Sequence, residues 1–172
     1  RLSTRVQEAE SGRILATERV EGVGESAIFQ MVDELTQSIK ATLEISVPSD
    51  EALERGIEEV TSSSVAAFRH YADGERLHGE SKDAEAIPHF EKAVEIDPDF
   101  AMALAKLSVA HWNVGHVAES YDYAKKALER IDRLTARERY YIEGRFYSLN
   151  PSTMGQAIDS YERAITLYPD HG

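Results

Sequence analysis

Residues 83–99 read DAEAIPHFEKAVEIDPD, and four of them, Ala86, Phe90, Ala93 and Pro98, decide the fold. The first three step by four and three, which sets them on one face of a helix. The pattern returns 34 residues later as Ser120, Ala124, Ala127 and Asp132, and 37 residues after that as Ala157, Tyr161, Ala164 and Pro169. Self-similarity at such a period marks a repeat array rather than a single globular core. Ahead of each copy lies a helical stretch with one small residue: Gly74, Ser108 and Gly144. Two of these sit in similar strings, YADG at 71–74 and YIEG at 141–144.

This spacing has a physical meaning. Small residues at the first and third positions of the second helix let a paired helix come close, and the middle residue fills the remaining gap. The Gly or Ser of the first helix marks where the two backbones come nearest. Proline five residues after the last alanine stops the helix and turns the chain toward the next pair. Three extra residues ahead of the third copy fit as two in its entry linker and one in its inner loop.

Working outward, polar breaks at 79–82, 97–99, 115–116, 132–136 and 150–152 divide the chain beyond Ser64 into six helices in three hairpins, with no strand pattern. Pro88 is an anomaly, since a prolyl ring near the fifth residue of a helix removes a hydrogen bond and clashes. Either the helix starts nearer Ile87 or it kinks. Toward the amino terminus, Leu2, Thr4 and Val6 alternate with polar residues, Glu10-Ser11-Gly12 supplies a turn, and residues 13–20 return as a second strand. An amphipathic helix follows, capped by Ser26, with a stripe of Ile28, Val32, Leu35, Ile39 and Leu43. Val47-Pro48 ends it, and a second amphipathic helix carries Leu53, Ile57 and Val60. Ser62, Ser63 and Ser64 read as a capping cluster rather than a nucleophile, because no glycine-flanked serine elbow surrounds them.

The periodic positions resemble the tetratricopeptide repeat. The second copy fits best, through Leu104, Leu107, Ser108, Gly115, Ser120, Ala124 and Ala127. The first and third depart at His70 and Asp73 and at Tyr140 and Glu143, where large apolar residues are usual, which leaves their first-helix register open. The resemblance implies a mainly α chain: an α-solenoid of three helix hairpins at 67–100, 101–134 and 137–170, preceded by a β-hairpin and two amphipathic helices. The expected domains are 1–47, a partial α/β unit; 48–66, a helical linker; and 67–172, the repeats. The hairpin, the helix and the Thr-Ser-Ser-Ser junction also resemble the end of a TolB amino-terminal-like domain. The strings that carry this are RVQEAESGRILA at 5–16 and residues 29–43. That resemblance implies a larger bacterial signalling or regulatory protein whose other domains lie outside this chain.

Composition narrows the function. A net charge of -12 repels phosphate backbones, so nucleic acid is not expected as a partner. The basic stretch from Lys125 to Arg145 reads as a solvated helical face or as a site for an acidic partner. No run is long and apolar enough to insert in a membrane, and a cytoplasmic setting is expected for this segment. The absence of cysteine removes disulfides, thiolate metal sites and cysteine nucleophiles. His111 and His116 are five apart, a poor spacing for one metal on one helix, and His70 and His78 are eight apart. No HExxH, calcium loop or phosphate loop occurs. The expectation is therefore no catalytic residues, no metal, no cofactor and no enzyme.

The concave wall of a tetratricopeptide array comes from its first helices, and partners usually lie there. Carried over position by position, the resemblance implies a groove of Tyr71, Glu75 and His78, then Met102, Ala105, Val109, Trp112 and Asn113, then Tyr141, Arg145 and Ser148. This lining suits an extended peptide or a helix, with Trp112, Tyr71 and Tyr141 as anchors. The other reading is that Trp112 and Tyr141 pack on their own second helices. The lysine–asparagine clamp of chaperone-tail binders is missing, so capture of a chain-terminal carboxylate is not expected. Self-assembly is the alternative function. If its parent sheet is missing, the hairpin is expected to have at least one unpaired edge, and the last repeat is expected to end at His171-Gly172 without a capping helix, which would let a homodimer form through either end.

Overall fold

The computed structural model describes residues 1–24, 27–42, 62 and 64–167. Strands β1 (Leu2–Gln7) and β2 (Ile14–Val20) pair antiparallel, Leu2 opposite Val20 and Val6 opposite Ala16, with a bulge at Val6/Gln7. Gly12 takes φ 72° in the connecting turn, a conformation that costs glycine nothing. The side chains alternate as the pattern requires. Leu2, Thr4 and Val6 are partly covered, while Ser3, Arg5 and Gln7 are exposed.

Helix α1 (Ala27–Thr42) lies against the hairpin. Its buried residues are Phe29, Met31 and Leu35, whereas Ile28, Val32 and Ile39 of the expected stripe are only half-buried. The helix meets neighbours on more than one side, which displaces its centre of burial. Met31 packs where Gly22 leaves room, and Phe29 stands edge-on to Phe68, ring centroids 5.9 Å apart. Ser26, Leu43 and the second amphipathic helix with Leu53, Ile57 and Val60 lie outside the described residues.

Six helices then form three antiparallel hairpins: α2 (Val65–Gly79) with α3 (Asp83–Ile96), α4 (Ala101–Asn113) with α5 (Val117–Leu128), and α6 (Ala136–Ser148) with α7 (Met154–Leu167). Ser64 caps α2 by accepting from the Ala67 amide at 3.2 Å. Ser62 donates to Asp97 at 2.6 Å, tying the entry to the far end of α3. A reciprocal capping box of Thr135 and Glu138 starts α6. The extra residues of the third repeat are taken up in two 3₁₀ turns, Ile131–Arg133 and Pro151–Thr153. Helix α3 begins at Asp83 and runs through Pro88, so the delayed start at Ile87 is not what occurs. Proline lacks the amide that would donate toward the Ala84 carbonyl.

The pairing chemistry follows the repeat positions. Ala86, Phe90 and Ala93 are all 0% exposed, as is Ala127, with Ala124 and Ala157 at 1%. A Cβ built on Gly74 would lie 2.5 Å from Cε1 of Phe90, and one on Gly144 would lie 2.6 Å from Cε1 of Tyr161. Each aromatic ring therefore sits on the bare backbone of the facing helix. In the second hairpin the equivalent positions, Ser108 and Ala124, are both small and buried, so the pair fills less space than glycine with an aromatic ring. The off-consensus residues fall on the outer edge of the first helices. His70 sits beside His89 at 6.2 Å, and Glu143 accepts from Ser160 at 3.4 Å, so polar contacts stand where apolar ones are usual. Successive hairpins stack through shared clusters, Phe100 and Ala103 with Ala93 and Ala67, then Leu104 and Ala105 with Ala127 and Ile142.

Gly74→Ala and Gly144→Ala are expected to destabilise the fold by roughly 1–3 kcal/mol despite alanine's better helix propensity. Gly155→Ala, where an added Cβ meets nothing within 4 Å, is expected to be neutral or stabilising by up to about 1 kcal/mol. Urea unfolding followed by circular dichroism distinguishes the signs.

Candidate partner-binding groove

Helices α2, α4 and α6 line one side of the stack, and the expected groove residues divide into those already engaged and those still open. Tyr71 is engaged. Its ring lies 4.8 Å from Phe100, 5.9 Å from Phe90 and 6.0 Å from Phe68, part of the core between the first two hairpins. Burial, and then the adjacent Glu75, pushes its hydroxyl well above the usual tyrosine pKa. Tyr141 is half-buried and packs against the cluster that holds Ala101, Leu104 and Ala105 of the preceding hairpin. His78 and Asn113 both bind Asp83, at 2.5 and 2.9 Å, joining the tips of the first two hairpins. Ala105 is buried, and Met102 and Val109 are half-buried.

Charge across this face is arranged in two ways. Lys106, a residue sequence reasoning missed, sets its ammonium 3.0 Å from Glu75 and 5.8 Å from the Tyr141 ring centroid. It sits four residues after Met102 and three before Val109, so its place at the edge of the inner face was readable from the helical period. The other carboxylate oxygen, Glu75 Oε1, is buried with no hydrogen-bond partner among the described residues. Arg145 is different. Its Nε donates to Ser108 Oγ at 3.3 Å, and its Nη2 donates to the Ser108 carbonyl at 3.2 Å and to Ser120 Oγ at 2.9 Å. Its guanidinium carbon lies 5.4 Å from the Trp112 ring centroid, a cation–π geometry. Burial lowers its pKa from the usual arginine value. Ser148 donates to the Arg145 carbonyl at 2.8 Å.

Trp112 is 45% exposed and is the open member of the expected anchors. Beside it a cavity of about 330 Å³ is lined by Trp112, Val117, Ala118, Tyr121, Asp122 and Leu149. The tryptophan thus shares this cavity with its own second helix, and the Arg145 guanidinium lies over its ring. A second cavity, about 520 Å³, lies between Tyr140 on α6 and the α7 residues Asp159, Glu162, Arg163, Thr166 and Leu167.

The second hairpin brings two histidines together. His111 is buried rather than a surface or groove residue. Its ring stacks on Tyr123 at 5.3 Å, and its Nδ1 lies 3.3 Å from Nδ1 of His116. The hairpin turn at Gly115, φ 88°, brings the two together although they do not share a helix. Among the described residues, no group of three or more His, Asp or Glu is arranged to hold a metal ion. Burial first, and His116 second, hold the His111 pKa below the usual value of 6.5, against the opposing pull of Glu119 and Glu91. The unfolded chain then binds more protons than the folded one just below that value, so this residue's share of stability is lost as pH falls. His111→Phe, which keeps the ring but not the titration, is expected to flatten the loss of stability between about pH 6.5 and 5. Urea midpoints of both proteins across that range measure it.

No helix among the described residues is long and apolar enough to cross a membrane. A comparison with curated proteins finds no match to the chain. A tetratricopeptide repeat family model matches residues 79–100, which spans the turn after α2, all of α3 and the turn into α4. With three consecutive helix hairpins packed in series, the match supports a tetratricopeptide-repeat solenoid, a non-catalytic fold that generally mediates protein–protein contacts.

Proposed function

We propose that this chain holds an extended peptide or a helix of a protein partner along the face made by α2, α4 and α6, as one segment of a larger bacterial signalling or regulatory protein. The observation that carries the reading is Trp112. It is the single tryptophan of the chain, half-exposed at the wall of an apolar cavity, with an arginine stacked on it. Interfaces draw most of their energy from such aromatic and arginine anchors. Tyr141, Met102 and Val109 then contribute apolar wall, and His78, Asn113 and Ser148 shape the rim. Residues 1–47 belong to this proposal as the TolB-like end of a preceding domain, with 48–66 as the connection to the repeats at 67–172.

A second reading, self-assembly, is favoured by one comparison between repeats. Ile87 and Val94 of α3 pack on the following hairpin, and Leu128 of α5 does likewise. The equivalent residues of α7, Ile158 and Ile165, are 51% and 56% exposed. The surface that α3 and α5 each use for stacking is open on α7, and two copies could close it against each other.

Trp112→Ala is expected to weaken binding of a partner isolated by affinity capture by about tenfold or more, with helix content unchanged, and Tyr141→Ala by less. Unchanged affinity in both folded variants would remove the groove from consideration. For self-assembly, light scattering should show a dimer that dissociates on dilution and in Ile158→Glu; a monomer mass at every concentration counts against it.

A further inference from the structure

We infer that the partner presents a side-chain carboxylate to Arg145 with a bulky apolar side chain beside it in the Trp112 cavity; this rests on the groove reading above. Arg145 is half-buried, and every acceptor it reaches is neutral: two serine hydroxyls and one carbonyl. It forms no ion pair among the described residues. Other partly covered cations of the stack are neutralised, Lys106 by Glu75 at 3.0 Å and Arg130 by Asp99 at 3.1 Å. Taking a charge out of water without a counter-charge is costly, and a partner that supplies the missing carboxylate recovers that cost.

The geometry makes the site ready for it. Nε and Nη2 are anchored, and the Trp112 face fixes the plane of the guanidinium, so little side-chain freedom remains to be lost on binding. Nη1 makes no hydrogen bond to the described residues, leaving charge-assisted donors for an incoming oxygen. Leu149, one helical turn beyond Arg145, lines the apolar cavity, so an acidic group at Arg145 places its neighbour over Leu149, Trp112 and Tyr121. Asp122 lies in that same cavity wall and repels a second acid there, which fixes the order of the two groups. The net charge of -12 opposes acidic partners at long range. At physiological ionic strength that repulsion is screened beyond about 8 Å, while a contact at a partly buried arginine is screened much less.

The test uses fluorescein-labelled peptides, acetylated and amidated, each with one Glu next to or two residues from a Leu or Phe in a Gly/Ser background. The Glu→Gln counterparts, with blocked and with free carboxyl termini, serve as comparison. Fluorescence anisotropy is expected to show the Glu peptides binding at least tenfold more tightly than either Gln form. Arg145→Gln should shrink that preference to within twofold, Arg145→Lys should keep part of it, and Trp112→Ala should weaken both peptide types. Equal binding of Glu and Gln peptides, an unchanged preference in Arg145→Gln, or no binding of Glu peptides overturns the inference. A free-terminus Gln peptide that matches the Glu peptide overturns the side-chain source. Binding that ignores the acid yet is lost in Trp112→Ala sinks this inference alone, whereas a partner indifferent to Trp112 and Tyr141 sinks the groove reading beneath it.

Discussion

Two helices can cross closely only where one of them has no side chain in the way, and the stack depends on meeting that constraint in each hairpin. Phe90 lies on the bare backbone of Gly74 and Tyr161 on that of Gly144. In the second hairpin the equivalent positions hold Ser108 and Ala124, both small, and the serine's backbone carbonyl accepts from the Ser120 hydroxyl at 2.8 Å. The alanines one turn away complete the contact from the second helix and are buried wherever a following hairpin covers them. Ala164, on the last second helix, is only half-buried because α7 stacks on no further hairpin within the described residues.

The same contact organises the proposed binding face. Second helices pack behind the first helices, which leaves α2, α4 and α6 side by side with their inner positions in register. Where the interhelical pair is small, the space near Ser108 and Ser120 admits the Arg145 guanidinium from the next hairpin. A packing choice in one repeat thereby creates a polar recess in the groove, and Trp112 and Leu149 border it with apolar surface. Lys106 and Glu75 neutralise each other, so among the described residues the face holds a paired site as well as the Arg145 cation without an ion pair.

How much of this was legible in the residues depends on range. The small–large–small pattern at 86, 90 and 93 and its two returns carry the three hairpins, because those contacts recur at fixed offsets. The alternation in residues 2–7 and the glycine turn likewise carry the β-hairpin. The face of α1 was read less well, since burial there is shared between the β-hairpin and Phe68, a long-range neighbour that periodicity cannot name. The first-helix placement of Tyr71 and Tyr141 followed from position, but their engagement with Phe100 and with α4 did not. It depends on how adjacent hairpins overlap. His111 and His116 were judged as if on one helix, and the turn at Gly115 brings their ring nitrogens together instead. Lys106 could have been found from its helical position, whereas the pairing of Arg145 with two serines from the preceding repeat had no local signal.

The central claim, that ring-on-backbone contact sets the interhelical distance, is tested most directly by a double-mutant cycle at residues 74 and 90. Gly74→Ser in the native background should cost roughly 1–3 kcal/mol, because its side chain meets the Phe90 ring. In the Phe90→Ala background, which itself loses about 3–5 kcal/mol, the same substitution should cost nothing, since the pair then matches Ser108 and Ala124. Equal cost of Gly74→Ser in both backgrounds would contradict the account.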